Sequence, residues 1–206
     1  MLGGAATAAL EGTVIEGASL MAVAMNGDSR LETDDASIRR SSYGLLVSGT
    51  ATAQLRDTVI EQPEDDGGWG AGILTQERAV LELRRSTVQR FQLGVLAGGQ
   101  RLLMRDTILR ENKEAGLVLL GVEPRPSWQA ARVYDLGTAT EPGGNVLVDN
   151  GDYHLFDART GTREQLSVSA TVIGPGAPPS GLVLTGPIDD PPRWTIVNEG
   201  VQIAFW

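Results

Sequence analysis

The sequence predicts an all-β fold, a parallel β-helix solenoid of about seven coils, each of roughly 22 residues. Three observations carry this. The nonamer QLRDTVIEQ, Gln54 to Gln62, returns 49 residues later as LMRDTILRE, Leu103 to Glu111. Two independent columns of apolar residues recur with one common period. Finally, no stretch shows the 3.6-residue apolar spacing of a helix; the short apolar runs are rich in β-branched residues and separated by Gly, Asp, Asn or Arg, as brief strands are.

The first column aligns five segments: ALEGTVIEG, ETDDASIRR, QLRDTVIEQ, ELRRSTVQR and LMRDTILRE. In each, a small or apolar residue (Leu10, Thr33, Leu55, Leu83, Met104) precedes by five positions an aliphatic one (Ile15, Ile38, Ile60, Val88, Leu109). The second column is the glycine-led strand opened by Gly44, Gly72, Gly94 and Gly116, spaced 28, 22 and 22 residues apart. A unit this small cannot bury its own apolar side and must stack on its neighbours. Stacking also makes sense of the charges. After the aliphatic site come Glu16, Arg39, Glu61, Gln89 and Arg110, so neighbouring coils about 4.8 Å apart avoid like charges. The ladder Asp35, Asp57, Arg85, Asp106 is mixed as well.

Beyond Gly121 the repeat continues with longer insertions. NVLVDN, Asn145 to Asn150, matches TILREN, and YHLFD, Tyr153 to Asp157, takes the place of the glycine-led strand. VSATVIG and GLVLTG read as one further coil, and RWTIVNEGVQIAFW as a closing strand pair. The chain is therefore expected to form a single domain over residues 1–206, with coils and insertions over 1–173 and a Pro/Gly-rich closing segment over 174–206. The recurrent glycines are expected to serve turns.

Composition narrows the function classes. A formal net charge of -9 disfavours nucleic acid and anionic membrane surfaces as partners, since both would repel the chain. With no cysteine there is neither a disulfide framework nor a thiolate metal site. The longest apolar run is too short to span a bilayer, and MLGGAATAAL lacks the basic start of a signal peptide. Because no capping element precedes AALEGTVIE, the chain is expected to be a piece of something longer, with end-to-end or edge assembly open to it.

Residues 8–186, and in particular VYDLGTATEPGGNVLVDN (Val133 to Asn150), resemble the right-handed parallel β-helix of the pectate-lyase-like superfamily. That resemblance implies the right-handed coil and a place outside the cell or in its envelope. Fold likeness does not select an activity, because the superfamily holds lyases, hydrolases, adhesins and proteins of no known activity. Two expectations follow: a non-catalytic module acting as spacer, assembly unit or polymer-binding surface for polysaccharide or an envelope protein, or a polysaccharide hydrolase or lyase.

For an enzyme, the acidic column supplies Asp35, Asp57 and Asp106. Asp57 and Asp106 stand two coils apart, roughly 10 Å, beyond the carboxyl spacing of about 6.5 to 9.5 Å that inversion requires. Arg85 lies between them. For a ligand, the sharpest local candidate is the long corner EQPEDDGGWG, where Glu64, Asp65 and Asp66 offer oxygens for calcium and Trp69 a stacking face for sugar. Trp128 sits in a second insertion, with Trp194 and Trp206 in the closing segment. Capping of the solenoid is the competing role for these tryptophans. His154, the sole histidine, is expected to be structural; the sole lysine, Lys113, which a lyase could use as its basic residue, lies in a coil corner beside two glutamates.

Overall fold

The computed structural model of the chain describes residues 1–63, 69–120, 132–138, 140–158, 165–173 and 183–185. Twenty-one strands fall into three sheets, with no helix among the described residues. The first sheet stacks β1 (Thr7–Glu11), β4 (Arg30–Asp34), β7 (Thr52–Arg56), β10 (Val80–Arg84), β13 (Arg101–Arg105), β16 (Val133–Asp135), β19 (Gln165–Ser167) and β21 (Val183–Thr185) in that order. The second stacks β2 (Val14–Glu16), β5 (Ser37–Arg39), β8 (Val59–Glu61), β11 (Thr87–Gln89), β14 (Ile108–Arg110), β17 (Val146–Val148) and β20 (Val172–Ile173). The third stacks β3 (Met21–Met25), β6 (Tyr43–Val47), β9 (Ala71–Thr75), β12 (Leu93–Ala97), β15 (Ala115–Leu120) and β18 (Tyr153–Ala158).

Each strand up to β20 thus pairs with the strand three places along the chain, always in parallel: the connectivity of a parallel β-helix. The exception is β21, which pairs antiparallel with β19 in the first sheet. GLVLTG therefore does not continue the glycine-led strand, as its sequence suggests. The stretch Gly174 to Gly181 that precedes it holds three prolines, which cannot donate to a ladder.

Register follows the two sequence columns. Leu10, Thr33, Leu55, Leu83 and Met104 are successive partners in the first sheet. Ile15, Ile38, Ile60, Val88, Leu109, Leu147 and Ile173 are successive partners in the second. From Ile38 to Leu147 that file is at most 1% exposed, and Ile15 packs on it from the first rung. Opposite it run Val23, Leu45, Ile73, Val95, Leu117 and Leu155. One continuous core joins them.

The corners repeat too. Between the first and second sheets the chain turns through one left-handed residue, Gly12, Asp35, Asp57, Arg85, Asp106, Gly144 or Ala170, with φ between 47° and 62°. The residue that follows turns inward and is polar on most rungs. Thr58, Ser86, Thr107, Asn145 and Thr171 are buried and hydrogen-bonded along the stack: Ser86 Oγ accepts from the Thr58 amide at 3.2 Å and Asn145 Oδ1 from the Thr107 amide at 3.1 Å. Between the second and third sheets, Asn150 Oδ1 accepts from the Asn112 side chain at 2.8 Å, and Asn112 Oδ1 from the Phe91 amide at 3.2 Å. These side chains satisfy backbone groups that the bends release from the ladders.

The glycines of the second column do not serve turns. Gly44, Gly72, Gly94 and Gly116 lie inside strands without left-handed φ, and their role is close approach. A methyl on Gly94 would sit 2.4 Å from the Gly116 carbonyl and 2.8 Å from Asn112 Nδ2. On Gly72 it would sit 2.3 Å from Val88 Cγ1. Hence Gly94→Ala is expected to lower stability by about 1–3 kcal/mol through overpacking, and Ile60→Ala by about 2–5 kcal/mol through the cavity it leaves. Guanidinium denaturation of both variants measures this; an unchanged midpoint for Gly94→Ala would contradict the close-approach role.

Candidate functional site at the charged face and corner of the first sheet

Alternation in the first sheet sends Leu31, Ala53, Leu81 and Leu102 inward and leaves their neighbours on the outer face. One outward file runs Glu32, Gln54, Glu82, Leu103, Asp135, and the next Glu11, Asp34, Arg56, Arg84, Arg105. Across the files, Arg30 bonds Glu32 at 3.0 Å and Gln54 at 3.1 Å, and Gln54 donates to Glu82 at 3.1 Å. Arg84 closes on Glu82 at 2.5 Å. Burial would raise the Glu82 carboxyl, but Arg84 and Gln54 outweigh it and hold it below its ordinary range. At the β1 end a depression of about 220 Å³ is lined by Leu10, Glu32, Asp34, Gln54 and Arg56.

Farther along lies a cluster that the sequence reading missed. Arg105 is 4% exposed at its side chain, yet bonds Asp135 Oδ2 at 2.9 Å, the Asp135 carbonyl at 3.1 Å and Glu141 at 3.4 Å. Asp135 Oδ1 accepts from the Gly137 amide at 2.9 Å and Ser167 Oγ at 3.2 Å. Burial pushes this carboxyl up; Arg105 and the Gly137 N–H pull harder, and it rests below the ordinary aspartate range. Glu141, which also reaches Arg84 at 3.6 Å, belongs to the insertion between β16 and β17. Arg105 stands at an outward position like Arg56, so only this insertion, placed over it by the fold, reveals the burial.

The acidic column sits at the corner beside this face. Asp57 meets Arg85 in a two-pronged bond of 2.8 and 2.6 Å, and that guanidinium holds the Asp57 carboxyl below its ordinary range. Asp35 and Asp106 take the same left-handed corner on neighbouring rungs and are exposed. Aspartate tolerates that backbone better than most residues, so the column has a local reason independent of chemistry. The adjacent ladder pairs as its signs suggest: Arg39 to Glu61 at 3.1 Å, Gln89 to Glu61 at 2.7 Å and Arg110 to Gln89 at 2.8 Å. Arg90 also binds Glu61, and Glu16 finds Arg40 at 3.0 Å instead of Arg39.

Trp69 lies elsewhere, on the corner between the second and third sheets, 77% exposed. Its neighbour Gly70 is pinned at φ 93°, where a methyl would meet the Ser42 carbonyl at 2.1 Å. Glu64, Asp65, Asp66 and Trp128, with Trp194 and Trp206, fall outside the described residues. The structure therefore brings Asp57 to Arg85 and separates both from Trp69. His154 stands half-buried on β18, its Nδ1 without a hydrogen-bond partner and its pKa lowered by burial. Lys113 holds a corner, its amide bonded to the Phe91 carbonyl at 2.8 Å. No helix among the described residues is long and apolar enough to cross a membrane.

Comparison of the chain with family models, with curated proteins and with solved structures finds no match. The chemistry of the face must therefore be read from its own groups, two adjacent files of carboxylate, amide and guanidinium carried on neighbouring strands.

Removing the partner of a buried charge is the severe change here. Asp135→Asn is expected to lower stability by about 2–4 kcal/mol at neutral pH. Because the folded pKa of Asp135 is depressed, the wild-type advantage is full above the ordinary aspartate value of about 3.9 and is lost as pH falls through the folded value. Denaturation curves of the two proteins should converge in acid. A constant difference at all pH would sink the assignment.

Proposed function

We propose that the chain is a non-catalytic β-helix module working in the cell envelope or outside the cell, a rigid spacer whose polar surface contacts a polymer, with polysaccharide as the favoured ligand. In this reading it is a single right-handed coil of the pectate-lyase-like kind, with about seven turns. The observation that carries the proposal is the pairing of the charged surface. Asp57 is committed to Arg85, Glu82 to Arg84 and Asp135 to Arg105. A carboxylate locked to arginine and held below its ordinary pKa is a poor proton donor at neutral pH. The guanidinium, amide and carboxylate groups of this face, spaced one rung apart, offer hydroxyl-rich polymers a row of partners.

Trp69 supplies the second element. An indole that is 77% exposed presents an apolar face on which a sugar ring can stack.

The experiment is a binding and turnover screen of acidic and neutral polysaccharides, with and without calcium. Retention on at least one polysaccharide is expected, weakened about tenfold or more by Trp69→Ala, with no new reducing ends and no ultraviolet absorbance of an unsaturated product. Turnover abolished by Asp57→Asn would replace this reading with a hydrolase or lyase built on Asp35, Asp57 and Asp106. Calcium-dependent binding would draw Glu64, Asp65 and Asp66 into the site.

A further inference from the structure

The third sheet differs from the first on its outer side. In every other sheet face of the stack that meets solvent, charged residues recur; β3, β6, β9, β12 and β15 contain no charged residue at all. Between the buried pairs Leu45 and Val47, or Val95 and Ala97, alternation turns one residue per strand outward. Those residues are Ala24, Leu46, Leu74, Leu96, Val118 and Phe156, successive partners in perfect register. None of them belongs to the interior core cluster. Leu46, Leu74 and Leu96 are half-buried, Val118 is the most covered at 7%, and Phe156 closes the row at 38% beside Tyr153, their ring centroids 5.0 Å apart. The sequence writes this as GLLV, GILT, GVLA and GLVL, runs apolar on both sides of the strand but for the inward Thr75.

We propose that this outer face is a self-association surface on which a second copy of the chain packs face to face about a two-fold axis. Three considerations single out that occupant. The row carries no side-chain donor or acceptor, so it offers a sugar or a polar peptide nothing to hold, and its partner must be uncharged over the same area. A two-fold axis meets that demand by bringing the row onto itself. The face is a sheet and not a groove, which suits another sheet at about 10 Å better than a helix. Charge sets the orientation: with a net charge of -9, two copies meet with least repulsion through the face whose outward row bears no charge, their charged first sheets held apart.

Size sets the strength. Six strands at about 4.8 Å, each about 17 Å long, give roughly 400 Å² of flat face per copy, about 800 Å² over the two, below the roughly 1,200 Å² of stable specific interfaces and in the range of weak, transient ones. The dimer is accordingly weak, with Kd of roughly tens to hundreds of micromolar.

Sedimentation velocity of the full chain from about 5 to 500 µM tests this. A concentration-dependent shift from monomer to dimer is expected, no weaker in high salt. Leu74→Glu, which enters each dimer twice, should raise Kd about 100-fold, whereas Leu74→Met should leave it within about threefold. Circular dichroism verifies that the variant keeps its strands; should Leu74→Glu fail to fold, Leu46→Gln on the same row takes its place. A monomer throughout the range overturns the proposal. So does assembly beyond the dimer that Leu74→Glu leaves untouched, which would assign the contact to the coil ends. So does monomer that sediments with phosphatidylcholine vesicles and is released by Leu74→Glu, which would assign the face to lipid. Loss of sugar binding in Trp69→Ala bears on the polymer contact alone.

Discussion

Backbone hydrogen bonds between successive rungs dictate the path of each coil from the path of the coil beside it. The Val59 amide reaches the Ala36 carbonyl at 2.9 Å, the Thr87 amide the Thr58 carbonyl at 2.9 Å, and the Ile108 amide the Ser86 carbonyl at 2.9 Å. A chain under this constraint cannot change direction at will, because a residue that departs from the common path leaves donors and acceptors unpaired in two rungs at once. The left-handed corner is the solution repeated on rung after rung, and it persists even where the residue is Arg85 or Ala170, for which the conformation costs roughly 1–2 kcal/mol. The ladder outweighs that local preference.

From the same constraint comes the division of labour around the stack. Polar residues just past the corners carry the buried hydrogen bonds that strands cannot make for themselves, with Asn145 alone donating to the Met104 and Leu136 carbonyls at 3.1 and 2.8 Å. Glycine occupies the third sheet where the strand runs too close to the carbonyl of the next rung, and to a side chain of the second sheet or its corner, for any side chain of its own. The outer faces, free of these demands, diverge: the first sheet becomes a mesh of guanidinium and carboxylate, the third an aliphatic row. A spacer that contacts polymer on one side and its own copy on another is consistent with that divergence, since rigid strands display both surfaces at fixed separation.

Surface ion pairs of this kind contribute little individually to stability. Arg105 is different in kind. Enclosed by Asp135 and Glu141, it makes the insertion between β16 and β17 part of the first sheet's outer layer, and ties the later rungs to the middle of the stack. The value of the cluster lies in specifying where that insertion rests, because misplacing it would cost Arg105 its second counter-charge, Glu141.

The sequence by itself determined the period, the register and the inward files, since stacking demands that equivalent positions repeat and the aliphatic columns from Ile15 to Leu109 and the mixed ladder from Glu16 to Arg110 do repeat. It also made the corner aspartates visible as a column. Their left-handed backbone was legible only in hindsight, because Asp, Arg, Ala and Gly share the site and no residue type marks it. What tertiary structure alone decided are contacts between positions far apart in the chain and unequal in the repeat: the hold of Glu141 on Arg105 and the antiparallel seat of β21. The glycine column is periodic in the sequence, but its reason, the Gly116 carbonyl that leaves no room for a side chain on Gly94, is seen only in the fold. A period records what successive rungs have in common. An insertion or a reversed strand is set by three-dimensional proximity, which leaves no periodic trace.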